Sequence, residues 1–183
     1  PTSDASSTTN RRGGVAWSRL SRHVLPNDID SLDNRDEDFL EDLAEYFGSL
    51  AHRYFSYQPT GFDRIPEGAG LYVGNHNGGI LSPDTFLFSS QIFKERGIDD
   101  IPYALTHEAV LQLPFFHHMG TRIGCIRANH ENASKAFGAG KKVLVYPGGD
   151  EDVFRPFRKR NNIVFGGRQG YIRLALRENV PII

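Results

Sequence analysis

The stretch that decides the fold is LYVGNHNGGILSPD, residues 71–84. A short apolar strand, residues 71–73, runs directly into the polar, glycine-rich loop 74–79. Ser82, Pro83 and Asp84 then supply an N-cap, a proline at the first helical position and an acid in the first turn, which together begin an α-helix. A strand, a polar loop and a helix in this order predict the opening of a βαβ unit.

The same alternation continues to the end of the sequence. The helix that starts at residue 83 is predicted to end near Arg96, before Gly97, and residues 108–118 are predicted to be helical or irregular, with an interruption at Pro114. Further strands are predicted at 101–105, 122–126, 143–146 and from 181, and further helices at 131–139 and 168–178. This order predicts an α/β fold, a mainly parallel sheet with flanking helices. Ligand sites in such sheets lie at the carboxyl ends of the strands.

Three segments are predicted. Residues 1–35 form a disordered or extended segment, because their first fourteen residues are rich in Ser, Thr and Gly. Residues 36–58 hold an amphipathic helix, whose apolar stripe over 36–56 covers either the domain's own core or a membrane or partner. Residues 60–183 form the α/β domain. The apolar run 180–183 predicts a strand that the natural protein continues, so the domain is expected to lack its C-terminal part; the alternative is a short final strand.

Composition excludes several classes of protein. The net charge of −1 argues against a general nucleic-acid binder. No apolar run approaches the ~20 residues of a transmembrane helix. Cys125 is the single cysteine, and no secretory signal is visible, so a cytoplasmic setting is predicted. Residues 120–183 carry 12 basic and 5 acidic side chains, which indicates either a surface that attracts phosphates or an anionic membrane, or an ordinary solvated surface.

His76 and Asp84 are the candidate catalytic residues. His76 lies in the loop after the first strand, and Asp84 lies in the first turn of the next helix, where the helix dipole favours a carboxylate. A carboxylate that accepts one imidazole N–H leaves the other nitrogen as a base. The alternative is a histidine that only makes hydrogen bonds within its loop. No serine occupies a G-x-S-x-G turn, so a serine nucleophile is not indicated.

Four short motifs carry a family resemblance. They are residues 73–76 with Asp84, Gly124-Cys125-Ile126-Arg127, the strand 143–146 followed by Pro147-Gly148-Gly149, and 180–183. In this order the chain resembles the glycerolipid (lysophospholipid) acyltransferases over roughly residues 60–183. The resemblance implies a fold like that of glycerol-3-phosphate acyltransferases.

Two departures from the family pattern point to one branch. Seven residues rather than four separate His76 from Asp84, and Gly148 stands where the third motif usually has Glu. Both changes resemble the mono- and diacylglycerol acyltransferases. The resemblance therefore implies a neutral acceptor alcohol, such as an acylglycerol, over a phosphorylated one. Glu151 is either a replacement for the missing acid, reaching into the same site, or an exposed acid of the loop.

The resemblance implies a fatty acyl transfer from acyl-coenzyme A to a lipid hydroxyl, as in glycerolipid and phospholipid biosynthesis. His76 acts as general base, Asp84 orients it, no covalent intermediate forms, and no cofactor is needed beyond acyl-coenzyme A as co-substrate. The protein is expected to lie peripherally on the inner face of a membrane. The candidate substrate-binding residues are Gly124, Arg127, Pro147, Gly148, Gly149 and Glu151. Arg127 either holds a phosphate or a carbonyl oxygen of the substrate or forms a surface ion pair. Backbone N–H groups near Gly78, Gly79, Gly148 and Gly149 are candidates for stabilising the oxyanion. Phosphates of coenzyme A or of the membrane are assigned to Arg155, Arg158, Lys159 and Arg160, and the alternative for this run is a solvated loop.

Two other functions stay open. One is a lipid-binding relative without turnover. The other is a metal-dependent hydrolase, in which His76 and Asp84 are joined by His107, Glu108, His117 and His118, although their spacing matches no strong metal motif and no metal is predicted. Next to those histidines, Phe115, Phe116 and Met119 indicate either an acyl-chain tunnel or ordinary core.

Overall fold

A four-stranded parallel sheet forms the centre of the molecule. The computed structural model describes residues 26–76, 83–159 and 161–183. The strands are β1 Gly70–Val73, β2 Tyr103–Thr106, β3 Cys125–Arg127 and β4 Lys142–Val145, in the order β1-β4-β2-β3. Ile182 adds a parallel bridge to Leu71 on the outer side of β1. The predicted α/β class is therefore confirmed, and the loops that follow β1 and β4 are neighbours.

Helices cover both faces of this sheet. They are α1 Glu37–Leu50, α2 Pro83–Arg96, α3 Glu108–Leu111, α4 Pro114–Arg122, α5 His130–Gly138, α6 Gly149–Val153 and α7 Gly170–Glu178. A π-helical turn, Ala51–Phe55, continues α1, and 3₁₀ turns occupy Phe62–Arg64, Ile98–Asp100 and Phe157–Lys159. Among the described helices, none is both long enough and apolar enough to span a bilayer.

Alternation along the strands divides the core into two layers. Leu71 and Val143 face α5 and α7, whereas Tyr72 and Leu144 face α1 and α2. Because successive strand side chains point to opposite faces, this register buries both sides of β1 and β4. The two strands that lead to the predicted site are thus held from both faces.

The third strand starts later than predicted. Arg122 ends helix α4 rather than opening the strand, because its guanidinium pairs with Asp36 at 2.8 Å and lies over the ring of Phe39. Gly124 then makes the turn into β3 with φ near +90°, a conformation that favours glycine. The predicted strand 122–126 is therefore wrong at its beginning, since contacts with α1 hold the preceding residues in a helix.

The first described residues pack onto the domain. Arg35 donates hydrogen bonds to the carbonyl oxygens of Ile98 and Ile101, at 2.7 and 2.8 Å, and Asp30 pairs with Arg127. These two side chains tie the described part of the predicted N-terminal segment, residues 26–35, to the α/β domain. Residues 1–25 lie outside the described part.

The amphipathic helix covers the domain's own core. Leu40 and Ala44 of α1 are buried in the layer that α2 also contacts, and the Phe47 ring stacks on Phe86 with centroids 4.7 Å apart. Of the two alternatives left open for the apolar stripe, the structure shows internal packing for these residues.

Candidate active site

His76 and Asp84 meet at the carboxyl edge of the sheet. His76 follows β1 by three residues, and Asp84 lies in the first turn of α2. The distance between His76 Nδ1 and Asp84 Oδ2 is 3.8 Å, which is ion-pair range and longer than a hydrogen bond. Both side chains are partly accessible. The arrangement leaves Nε2 as the imidazole nitrogen directed away from the carboxylate.

Tyr146, the residue that follows strand β4, supports the imidazole. Its ring stacks on that of His76 with centroids 3.9 Å apart, and its hydroxyl lies 2.7 Å from Thr85 Oγ1. Burial raises the pKa of Tyr146, so its phenol stays protonated. Gly74 permits the approach, since a Cβ at this position would lie 2.7 Å from Tyr146 Cε1.

The loop after β4 is held from outside by Arg168. Its guanidinium donates hydrogen bonds to the carbonyl oxygens of Pro147 and Gly148 and pairs with Asp150 at 2.8 Å. Glu151, the predicted replacement for the missing motif acid, is 51% exposed and lies 3.6 Å from Arg168. Its carboxylate is therefore part of the outer face of this loop.

A different acid of the same helix reaches the site. Asp152 is fully buried, and its Oδ2 accepts a hydrogen bond of 3.2 Å from the backbone N–H of His76. Arg155 pairs with Asp152 at 2.8 Å and donates to the backbone carbonyl of His76 at 3.0 Å. A buried ion pair thus contacts both polar main-chain groups of the candidate base.

An apolar cleft of about 470 Å³ lies beside the pair. This volume falls within the range of ligand pockets, ~300–1,000 Å³. Asn75, Asp84 and Tyr146 line the cleft, and its apolar lining consists mainly of Phe62, Ile65, Val73, Leu87, Phe88, Leu144 and Ile183. The predicted tunnel residues Phe115, Phe116 and Met119 are not among its lining residues, and Phe115 is exposed on α4.

The second motif lies apart from this cleft. Gly124 precedes β3 at the amino edge of the sheet, opposite the carboxyl edge where His76 lies. Arg127 lies at the carboxyl end of β3, three strand positions from β1, or about 14 Å at ~4.8 Å per strand. Its guanidinium pairs with Asp30 and lies 3.6 Å from Glu108. Gly124 is therefore a turn residue, and Arg127 is an ion-pair partner of Asp30 in the N-terminal segment.

The predicted phosphate-binding run is divided between interior and surface. Arg155 is only 6% exposed and makes the internal contacts described above, whereas Arg158 and Lys159 are exposed. The ion pair with Asp152 turns Arg155 inward, so its guanidinium is not presented to a phosphate in solution. Arg160, Gly78 and Gly79 lie outside the described residues.

Two histidines of the hydrolase alternative, His107 and His117, make hydrogen bonds with the main chain. His107 Nδ1 accepts from the Ala109 N–H at the start of α3. His117 Nε2 accepts from the Asn27 N–H at 2.7 Å, and its Nδ1 lies 2.9 Å from the Leu111 carbonyl oxygen. Within the described ranges, no group of three or more His, Cys, Asp or Glu side chains is placed to hold a metal ion.

Sequence reasoning did not assign Tyr146, Thr85 or Asp152 to the site. Tyr146 directly precedes Pro147 and is the last residue of the predicted strand 143–146, so the pattern marks it as a strand residue rather than a site residue. Asp152 is one of three consecutive acids, and only the helical turn of α6 decides which of them points inward.

Comparison with known proteins identifies the family. The family model described as Acyltransferase matches residues 57–183. An uncharacterised protein of Mycobacterium tuberculosis is 28% identical over 131 residues, which are 71% of this chain and 36% of that protein. A "DGAT1/2-independent enzyme synthesizing storage lipids" of Mus musculus is 25% identical over 141 residues, 77% of this chain and 41% of the mouse protein. The corresponding protein of Homo sapiens is 25% identical, with 77% of this chain and 42% of the human protein covered.

The chain spans about two fifths of the length of these curated relatives. No solved structure matches it. The family match, by contrast, covers more than half of the chain and includes the whole sheet, the cleft from Tyr57 onwards and both candidate catalytic residues. This chain therefore belongs to the acyltransferase family.

Proposed function

We propose that the protein transfers a fatty acyl group from acyl-coenzyme A to the hydroxyl of a lipid, with a neutral acylglycerol as the favoured acceptor. One observation carries the proposal: in a chain of the acyltransferase family, His76 and Asp84 lie 3.8 Å apart beside an apolar cleft of about 470 Å³. The imidazole and the carboxylate supply a base, and the cleft offers a place for an acyl chain.

The proposed reaction needs no covalent enzyme intermediate. His76 Nε2 takes the proton from the acceptor hydroxyl while Asp84 faces Nδ1 and stabilises the positive charge that forms on the ring. The acceptor oxygen forms a bond with the thioester carbonyl carbon, and the carbon–sulfur bond breaks. The proton held by His76 then passes to the leaving coenzyme A thiolate, and the products are an ester and free coenzyme A thiol.

The transient oxyanion requires hydrogen-bond donors. The Gly149 N–H already donates to the Tyr146 carbonyl at 3.1 Å, which closes the turn after β4. The peptide between Pro147 and Gly148 turns its carbonyl towards Arg168, so its N–H points the opposite way. We assign the oxyanion contact to the Gly148 N–H, together with the N–H groups of Gly78 and Gly79.

Two observations favour a neutral acceptor. Arg127, the candidate ligand for a phosphate or a carbonyl oxygen of the substrate, pairs with Asp30 within the chain. In addition, the mouse and human relatives are named for the synthesis of storage lipids. Both observations support an acylglycerol over a lysophospholipid.

The test is thiol release from a long-chain acyl-coenzyme A in mixed micelles, with monoacylglycerol, diacylglycerol, lysophosphatidic acid or a fatty alcohol as acceptor. We expect release that depends on the acceptor and is fastest with a neutral glyceride. Fastest release with lysophosphatidic acid would contradict the neutral acceptor but not the reaction. Binding of acyl-coenzyme A without release would instead support a lipid-binding protein without turnover.

We further propose that the segment 154–163 places the site on a membrane surface. Phe154, Phe157 and Ile163 are among the most exposed apolar side chains described, and Arg158 and Lys159 stand between them. Apolar side chains that enter the headgroup region, flanked by cations, suit an anionic membrane. Arg155, within the same segment, contacts the His76 carbonyl, so the segment adjoins the proposed base.

Changing Phe154 and Phe157 together to serine should release the protein from vesicles. Each phenylalanine withdrawn from the membrane costs ~1.5 kcal/mol or more, so affinity for phosphatidylcholine vesicles with phosphatidylserine should fall at least tenfold per residue. Flotation on a density gradient measures the bound fraction. Leu176→Ser, which removes an equally exposed apolar side chain on α7, serves as the matched control and should stay bound. Equal flotation of the double variant and the control would refute the assignment of this segment.

A further inference from the structure

The main chain of His76 is held at both of its polar groups by one ion pair. Asp152 Oδ2 accepts from the His76 N–H at 3.2 Å, and Arg155 Nη2 donates to the His76 carbonyl at 3.0 Å. The two side chains join each other through Asp152 Oδ1 and Arg155 Nη1 at 2.8 Å. We call this pair of residues the main-chain clamp.

The clamp is internal to the protein. Asp152 is 0% and Arg155 6% exposed, so neither charge is available to a bulk ligand. Arg155 also donates to the Asn162 carbonyl, which brings the 161–164 segment over the same place. A buried ion pair adds little stability compared with a well-packed apolar pair, because both charges lose their hydration. Because both side chains of this ion pair contact the main chain of His76, we infer that the pair acts on the position of His76.

Gly148 makes room for the clamp. A Cβ at position 148 would overlap the Asp152 carboxylate and would lie 2.6 Å from the Val164 carbonyl oxygen. The third motif thus has glycine here because the carboxylate of residue 152 occupies the space of a side chain at 148. The acid that reaches the site comes from one turn further along the chain, and it contacts His76 rather than solvent.

We propose that Asp152 and Arg155 are positioning residues that fix the backbone of the general base His76, an inference that rests on the proposed function. His76 lies three residues beyond the end of β1, so strand pairing alone does not hold its backbone. A base must be held within ~0.5 Å of its productive place. By binding the N–H and the carbonyl together, the clamp fixes where the Cα–Cβ bond points, and therefore where the imidazole meets Asp84 and the substrate.

Asp152→Asn and Arg155→Lys test the clamp. Asp152→Asn replaces one of the two carboxylate oxygens with an amide nitrogen, so the side chain can no longer accept from both His76 and Arg155. Arg155→Lys replaces the planar guanidinium with an ammonium, which lacks the fork that spans a carboxylate and a carbonyl. We expect kcat for acyl transfer to fall by ~10²-fold in each variant, the loss typical of a misplaced catalytic group, while KM for acyl-coenzyme A stays within about threefold. A change in KM alone, with kcat retained, would overturn the proposal in favour of substrate binding.

A double-variant cycle separates positioning from general stability. In the His76→Ala background, Asp152→Asn should lower the residual rate no further, because the residue acts through the base. Asp100→Asn is the matched control, since Asp100 pairs with the buried Lys142 at the amino end of β4. It should lower the melting temperature as Asp152→Asn does and keep kcat within about twofold. Equal loss of kcat in both would overturn the proposal.

A readout independent of turnover completes the test. Amide hydrogen exchange of His76, measured by NMR, should be at least ~10-fold faster in Asp152→Asn than in the wild-type protein, because a charge-assisted hydrogen bond is lost. The amides of β2 should be unchanged. If wild type and His76→Ala release thiol at the same rate, His76 is not the general base of the proposed reaction, and the exchange of the His76 amide still decides whether the clamp holds this backbone. Unchanged exchange would refute it.

Discussion

Replacing His76 with alanine should lower kcat for acyl transfer by ~10²–10⁴-fold, the usual contribution of a general base. The imidazole Nδ1 lies 3.8 Å from Asp84, and the ring stacks on Tyr146, so removal of the side chain takes away the base and leaves its surroundings in place. KM for acyl-coenzyme A should change little, because the proposed acyl cleft is built from other residues.

The measurement is thiol release with the best acceptor, at saturating acyl-coenzyme A. Asp84→Asn should lose less than His76→Ala, since it keeps the shape and removes only the charge that stabilises the imidazolium. His130→Ala, an exposed histidine at the start of α5, is the control and should retain full activity. Activity that survives in His76→Ala would show that the base is another group.

Replacing Asp100 with alanine should lower the free energy of unfolding by ~3–5 kcal/mol, a large share of the ~5–15 kcal/mol that holds a typical domain. Lys142, the first residue of β4, is 1% exposed, and its ammonium pairs with Asp100 at 2.8 Å. Arg96 also pairs with Asp100 and reaches Glu67 at 2.6 Å. Without Asp100, Lys142 keeps a buried charge with its main partner gone.

Urea unfolding measures this loss, and two variants define its cause. Asp100→Ala combined with Lys142→Met should recover most of the stability, because the unpaired charge is removed and the hydrocarbon chain is retained. Asp99→Ala is the exposed control; its partner Lys141 also lies near the surface, so stability should hardly change. If the double variant is no more stable than Asp100→Ala, the loss does not come from a stranded charge.

The same ion pair gives stability a defined dependence on pH. Burial raises the pKa of Asp100, but hydrogen bonds from Lys142 and Arg96 outweigh it and hold the pKa below its usual value. Asp100 therefore stabilises the fold fully above the unfolded-state pKa of ~3.9, and this contribution disappears as pH falls through the lower pKa of the folded state. Acidification below about pH 4 should accordingly cost the wild-type protein more than it costs Asp100→Ala.

Most of the fold was predictable because its signals are local. Alternating apolar strands and capped helices predict β1, α2, β4 and α5 within a residue or two, and the parallel sheet follows from their order. The amino end of β3 was not predictable. Arg122 and Ile123 look like strand residues locally, and only the distant partners Asp36 and Phe39 keep Arg122 in a helix.

The candidate site was predictable where it depends on strand ends and unpredictable where it depends on side-chain direction. His76 and Asp84 were predictable because one lies in a loop directly after a strand and the other lies in the first turn of a helix. The sequence does not show whether Glu151 or Asp152 reaches the site, because both follow the same glycines. On α6, successive side chains are rotated by ~100°, so Glu151 points outward and Asp152 points inward. The inward position of Arg155 was likewise unpredictable, because it depends on a contact with the distant His76 carbonyl.

The crowding at Gly148 also constrains the order in which this loop can change over evolution. A glutamate introduced at position 148 would meet the Asp152 carboxylate in the same space, two negative charges in one buried volume. The replacement is tolerable only after residue 152 has become small and neutral, and the reverse exchange must begin with loss of the glutamate. We therefore expect strong epistasis between the two positions. Homologous sequences should carry either a side chain at 148 or an inward acid at 152. A loop grafted from one group into the other should function only when both positions are exchanged together.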